Sequence, residues 1–171
     1  MKCNMFSQVN INNSMNKGYG IGIDSYFSFN QNPSYNNKFI NITLDRVESG
    51  SLYIGRDNNL IFNQSFSNVS FPTTVFLENA NGTINFINGI NFSSELVNLI
   101  DVVAIDLNNT FVNSTLAPGM NTSATVVIEN LGFSPSHPEV DVDDDGSFDF
   151  ECTALTDPAC TGISNTSNTL T

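Results

Sequence analysis

An all-β fold, built as a parallel β-solenoid, is what this sequence predicts, and three observations point to it. A two-part pattern recurs along the first three quarters of the chain, each part reads as a short strand of alternating polarity, and Asn- and Gly-rich turns separate the strands with no convincing helix between them. The first part is an apolar residue, Asn, any residue, then Ser or Thr. It occurs as Ile11-Asn12-Asn13-Ser14, Ile40-Asn41-Ile42-Thr43, Phe62-Asn63-Gln64-Ser65, Ile90-Asn91-Phe92-Ser93 and Val112-Asn113-Ser114-Thr115, with the asparagines 29, 22, 28 and 22 residues apart. The second part follows each one and is marked by Ile23, Ile54, Leu77, Ile105 and Ile128, spaced 31, 23, 28 and 23. The two series rise and fall together, as two strands of one repeating coil must.

Strands this short cannot bury an apolar face alone. Stacking solves the problem, because the inward residues of one coil cover those of the next and backbone hydrogen bonds run between coils at about 4.8 Å. The expectation is therefore about five coils over residues 1–131, followed by an acidic, cysteine-bearing segment over residues 132–171. Asparagine tolerates left-handed backbone at corners and its amide can ladder, so Asn12, Asn41, Asn63, Asn91 and Asn113 are expected to form one structural column. Phe62 is expected to point inward. Glu95 to Val103 reads either as a short helix, with Leu96, Leu99, Ile100 and Val103 on one face, or as a strand. The competing architecture is an antiparallel β-sandwich, favoured by Ala117-Pro118-Gly119-Met120 ahead of a Thr/Val-rich strand.

Segments such as Asn36-Asn37-Lys38-Phe39-Ile40-Asn41-Ile42-Thr43-Leu44, Asn58-Asn59-Leu60-Ile61-Phe62-Asn63 and Asn108-Asn109-Thr110-Phe111-Val112-Asn113-Ser114 resemble coils of right-handed parallel β-helix proteins of the pectate-lyase-like superfamily. They are particularly similar to the Asn-rich repeats of archaeal and bacterial surface proteins. The stretch from Asn121 through Ala124-Thr125-Val126-Val127-Ile128-Glu129-Asn130-Leu131 to Cys152 and Cys160 resembles a C-terminal pattern of archaeal cell-surface proteins. There a strand ending in Asn-Leu leads to an acidic turn, a close cysteine pair and a final strand. The resemblance implies a right-handed helix at the cell surface.

Composition narrows the partners. Of 171 residues, 27 are Asn, 19 Ser and 14 Thr, while charged residues make up only 13 %, so the surface presents amides and hydroxyls. Five basic residues against 17 acidic ones give a net charge of −12, which excludes a nucleic-acid partner, since that needs clustered cations. No apolar run approaches the roughly 20 residues of a membrane span. Met1 to Asn10 lacks the apolar core of a signal peptide, and the chain reads as an internal or mature C-terminal piece of a longer exported protein.

Export is suggested by sequons and cysteines. Ten Asn-x-Ser/Thr sequons occur where chance would give about five. Several of them fall in the repeated element and are generated by the repeat itself, so Asn68, Asn81, Asn121 and Asn165, outside it, are the better glycosylation candidates. Cys152 and Cys160 lie close together with no histidine nearby, which suits a disulfide better than a metal site, and leaves Cys3 over.

The one strong chemical signal is Asp141-Val142-Asp143-Asp144-Asp145-Gly146-Ser147-Phe148-Asp149. Asp141, Asp143 and Asp145 alternate ahead of a glycine, so a loop can turn them to one centre, with Ser147 and Asp149 completing a loose Ca2+ site. Where an EF-hand would supply its bidentate glutamate, the chain has Cys152. The bland alternative is a solvated acidic turn.

No catalytic residue is expected. His137, the sole histidine, reads as a loop residue between Pro135 and Pro138. Asp24, Asp57 and Asp106 follow strands at similar points and read as turn residues rather than as a catalytic carboxylate row. The functional expectation is a non-catalytic structural or adhesive protein of the cell surface or extracellular space, contacting glycans or neighbouring surface proteins. The alternatives are a polysaccharide lyase- or hydrolase-like fragment, or a glycosylated subunit of an extracellular filament or surface layer that self-assembles through open β edges.

Overall fold

The computed structural model describes residues 5–8, 10–12, 19–24, 36–45, 50–55, 59–132, 137–142, 147–157, 159–166 and 169–171. In chain order the first strands are β1 (Met5–Ser7), β2 (Asn10–Asn12), β3 (Tyr19–Asp24), β4 (Asn37–Ile40), β5 (Thr43–Asp45), β6 (Gly50–Gly55), β7 (Gln64–Ser67), β8 (Val69–Phe71) and β9 (Val75–Asn79). They are followed by β10 (Gly82–Phe86), β11 (Ile90–Phe92), β12 (Val97–Asn98), β13 (Val103–Asp106), β14 (Asn109–Val112) and β15 (Ala124–Ile128). The last are β16 (Glu139–Val140), β17 (Phe150–Glu151), β18 (Asn165–Thr166) and β19 (Thr169–Leu170). Short 3-10 turns at Asn59–Phe62, Leu99–Asp101 and Pro118–Met120 complete the regular structure, and no α-helix occurs among the described residues. The Glu95 to Val103 stretch is thus neither one helix nor one strand: β12, a 3-10 turn and the start of β13 share it.

Pairing explains why the all-β expectation holds and the solenoid does not. Early strands do stack in parallel: β1 on β4 on β7, β2 on β5, and β3 on β6 on β9. Ile23, Ile54 and Leu77 sit in one register across β3, β6 and β9, as their spacing predicted. From β9 onward the described ladders are antiparallel. The two-residue connection Ala80-Asn81 before Gly82 folds β10 back on β9, and Leu107-Asn108, with Asn108 at φ 107°, folds β14 back on β13. A two-residue connection can join only antiparallel strands, since a parallel pair needs a long crossover, and Asn and Gly are residues that such tight turns favour. Ile105 therefore faces Thr110 in a hairpin, and Ile128 pairs with Gly82 and Leu170.

Among the described residues the result is multiple sheets: one of four strands, one of seven in the order β18-β19-β15-β10-β9-β6-β3, and four two-stranded ladders. A five-coil right-handed parallel β-helix is not formed, and the resemblance to pectate-lyase-like surface proteins is corrected accordingly. The arrangement is consistent with the alternative, a β-sandwich, rather than with a β-helix.

One hydrophobic cluster holds these sheets together, with Phe39, Ile54, Phe62, Phe66, Phe71, Leu77, Ile84, Phe86, Leu99 and Ile105 buried in it. Alternation delivers these side chains: β9 and β10 bury every second residue, and β8 buries Val69 and Phe71 while exposing Ser70. Each such side chain contributes about 1.5–3 kcal/mol. Phe6, Phe39, Phe66 and Phe92 form a ladder of near-parallel rings, each pair of centroids 5.1 Å apart, and Phe71 meets Phe66 and Phe92 edge-on. β7 lies inside the four-stranded sheet and is buried along its whole length, so its polar side chains need internal partners. Gln64 Oε1 accepts from the backbone and side-chain amides of Asn37 at 3.2 and 2.9 Å, Gln64 Nε2 donates to the Ile61 carbonyl, and Ser67 donates to the Ser94 carbonyl.

The asparagine column is also corrected. Asn12 is in register with Asp45, Asn63 accepts from the Asn98 side chain, Asn91 opposes Ser70, and Asn113 caps the turn to Leu116. The residues that do stack are Gln8, Asn41 and Asn68, all at φ between 51° and 54°. Their backbone amides donate to Ile40, Ser67 and Ser93 respectively, and Asn68 Nδ2 donates to Asn41 Oδ1 at 2.7 Å. Asparagine at left-handed corners was the right physics, applied to the wrong asparagines.

Candidate functional site

Beside this corner lies an uncharged face. Ile42, Val69 and Phe92 turn inward, so their neighbours Thr43, Ser70 and Asn91 turn outward. With Asn41 and Asn68 these outward residues line an open groove of about 390 Å³, whose rim offers amides and hydroxyls and no ionised group. Gly119 approaches it from behind, close enough that a Cβ would collide with the Asn91 carbonyl. Such a surface can exchange hydrogen bonds with neutral polyhydroxylated or amide-bearing partners and holds no group that could act as a base.

A second feature is topological. Among the described residues β1, β2 and β3, the first strands, are each the terminal strand of their sheet. β1 is exposed along its length, with Met5 68 % and Phe6 42 % accessible, whereas Phe39, Phe66 and Phe92 are 6 % or less. The phenylalanine ladder therefore ends on an uncovered ring.

The acidic segment lies between β16 and β17, which pair antiparallel. Asp149 Oδ2 accepts from the Val142 amide at 2.9 Å, and the Asp149 amide donates to the Val140 carbonyl, so Asp149 is tied to the chain leaving β16. Of the expected Ca2+ ligands Asp141, Ser147 and Asp149 are described; Asp143 and Asp145 lie outside the described residues. Among the described residues no three His, Cys, Asp or Glu side chains converge as a metal site would require. His137 Nε2 stands 3.7 Å from Glu139 Oε1, with side chains 40 % and 48 % exposed. Asp57 lies outside the described residues, and Asp106 is in register with Asn109 in the β13–β14 hairpin.

Cys152 and Cys160 form a disulfide, with Cα atoms 5.4 Å apart. Cys152 is buried, its amide donates to the Pro138 carbonyl, and the Cys160 amide donates to the Thr153 carbonyl, so the loop is tied at both ends. Leu155 at its tip is 97 % exposed. No helix among the described residues is long and apolar enough to cross a membrane.

The sequons divide by environment. Asn68 and Asn121 are exposed; Asn81 is half-buried at the β9–β10 turn with Nδ2 3.2 Å from the Ile105 carbonyl; Asn165 begins β18. Sequence reasoning missed the phenylalanine ladder and the Gln8, Asn41, Asn68 corner. The signal was there: Phe6-Ser7-Gln8, Phe39-Ile40-Asn41 and Phe66-Ser67-Asn68 share one pattern when aligned on phenylalanine instead of asparagine. No protein-family model, no curated protein and no solved structure matches this chain.

Proposed function

We propose that this chain is a non-catalytic subunit of an extracellular assembly, a filament or surface layer, that associates through open β edges. One observation carries the reading: among the described residues all three early ladders end on terminal strands from residues 5–24, and an open edge is a row of backbone donors and acceptors able to pair with another chain. A disulfide and an excess of sequons suit an oxidising, glycosylating compartment. The test is sedimentation velocity with electron microscopy over a wide protein concentration range. Concentration-dependent assembly supports the proposal; a monomer at every concentration overturns it.

The amide- and hydroxyl-lined groove favours a second reading, contact with glycans, in which Asn41, Thr43, Asn68, Ser70 and Asn91 would hydrogen-bond sugar hydroxyls. Titration with neutral oligosaccharides, followed at the amide resonances of these residues, tests it; unshifted resonances at millimolar sugar would sink it.

A further inference from the structure

We propose that β1 pairs antiparallel with β1 of a second copy of this chain across a two-fold axis at Phe6, joining the two phenylalanine ladders into one. The inference deepens the assembly reading above and rests on it. Phe6 stacks on Phe39 at 5.1 Å and 10° on one face, while its other face is left to solvent. An antiparallel strand centred on Phe6 would set Phe6 of the second copy directly opposite, at a Cα separation of about 4.5–5.5 Å. That is the spacing at which cross-strand aromatic rings touch. Met5 would then face Ser7 of the second copy, so no charge is opposed or buried. β1 carries neither the charge nor the proline that commonly guards an edge.

Charge selects the occupant. Residues 1–57 hold five basic and four acidic side chains, whereas residues 58–171 hold thirteen acidic and no basic ones. A basic partner would be drawn to the later part of the chain, and the three-residue Met-Phe-Ser strand offers an acidic partner nothing. Pairing β1 with itself brings together strands from the part of the sequence whose charge is nearly balanced, rather than from the wholly acidic residues 58–171. Two-fold symmetry is also the commonest among homo-oligomers.

The test uses the full chain with Cys3→Ser, in parent form and with Phe6→Glu or Phe6→Cys. Equilibrium sedimentation should show a dimer, Phe6→Glu should raise its dissociation constant about tenfold or more, and Phe6→Cys should give a disulfide-linked dimer mapped by mass spectrometry to residue 6 of both copies. Unchanged far-ultraviolet dichroism and an intact Cys152–Cys160 bond would show that Phe6→Glu still folds. Assembly that ignores Phe6→Glu and forms no residue-6 crosslink overturns the β1 contact while leaving the assembly reading standing. Fibres abolished by Phe6→Glu overturn the closed two-fold geometry in favour of a head-to-tail one. A monomer at all concentrations overturns both.

Discussion

Asn68 donates its side-chain amide to Asn41 Oδ1 at 2.7 Å, and both residues hold left-handed backbone, φ 51° and 53°, at equivalent corners of adjacent strands. The corner therefore asks two things of each residue: a tolerable positive φ and an amide that reaches its neighbour. Only asparagine meets both at low cost, because glycine gives the first and glutamine the second. Asn68→Ala should destabilise the protein by about 1–2 kcal/mol and Asn68→Gly by less than half of that. Urea denaturation of the two variants checks the order, and equal losses would mean that backbone strain plays no part.

Phe66 is the centre of the aromatic ladder, fully buried, stacked on Phe39 and Phe92 and met edge-on by Phe71. Phe66→Ala should cost about 3–5 kcal/mol, and Phe6→Ala, at the solvent end, well under half as much. Chemical denaturation of both reads the contrast. Similar losses would show that the ladder is not graded by burial.

Gln64 has no access to solvent, and its side chain supplies the acceptor for two amides of Asn37 and a donor for the Ile61 carbonyl. Gln64→Leu keeps the volume but removes all three bonds, at a cost of about 2–3 kcal/mol. The double variant Asn37→Leu with Gln64→Leu should recover part of that loss, since the side-chain amide left behind is gone as well. Denaturation midpoints of Gln64→Leu, Asn37→Leu and the double variant decide it; a double variant worse than the sum of the singles would assign the cost to packing instead.

How far the fold was legible follows from these residues. The period-2 alternation that buries Val75, Leu77, Ile84 and Phe86 is local, so strands were readable one at a time. The register of Ile23, Ile54 and Leu77 was readable too, because parallel stacking preserves spacing in the sequence. What failed was direction. An Asn-Gly corner and an Asn-Gly hairpin have nearly the same composition, and Asn81-Gly82 turns the chain through a hairpin where a continuing coil was expected. Aligning on asparagine also matched Asn63 with Asn41, whereas β7 in fact sets Phe66 against Phe39 and brings Asn68 to the corner. Burial of phenylalanine contributes more than an exposed amide ladder, so the aromatic spacing was the stronger guide. The disulfide was legible because nine residues closing on themselves bring two cysteines together in most folds. The open β1 edge was not, since an edge is defined by what fails to pair across the whole chain.

The final prediction concerns the segment that the cysteines and the acidic run share. Asp149 bonds the Val142 and Val140 backbone, β16 pairs with β17, and the Cys152 amide reaches the Pro138 carbonyl, so the described residues 137–142 and 147–152 are tied to one another. Closing the loop from Cys152 to Cys160 restrains the same strand and contributes up to roughly 3 kcal/mol through the denatured state. The carboxylates of Asp141, Asp143, Asp145 and Asp149 repel one another when the turn is compact, and Ca2+ held by them with Ser147 would relieve that repulsion. Cys152→Ser with Cys160→Ser should therefore speed amide exchange across residues 137–160 while leaving residues 59–131, buried in the common core, protected. Calcium should slow exchange in that segment of the parent, chelator should reverse it, and Asp143→Ala with Asp145→Ala should abolish the response. Exchange and melting unchanged by calcium would mean that the run is a solvated acidic turn, and exchange accelerating equally in both regions after loss of the disulfide would mean that the segment does not fold as a separate unit.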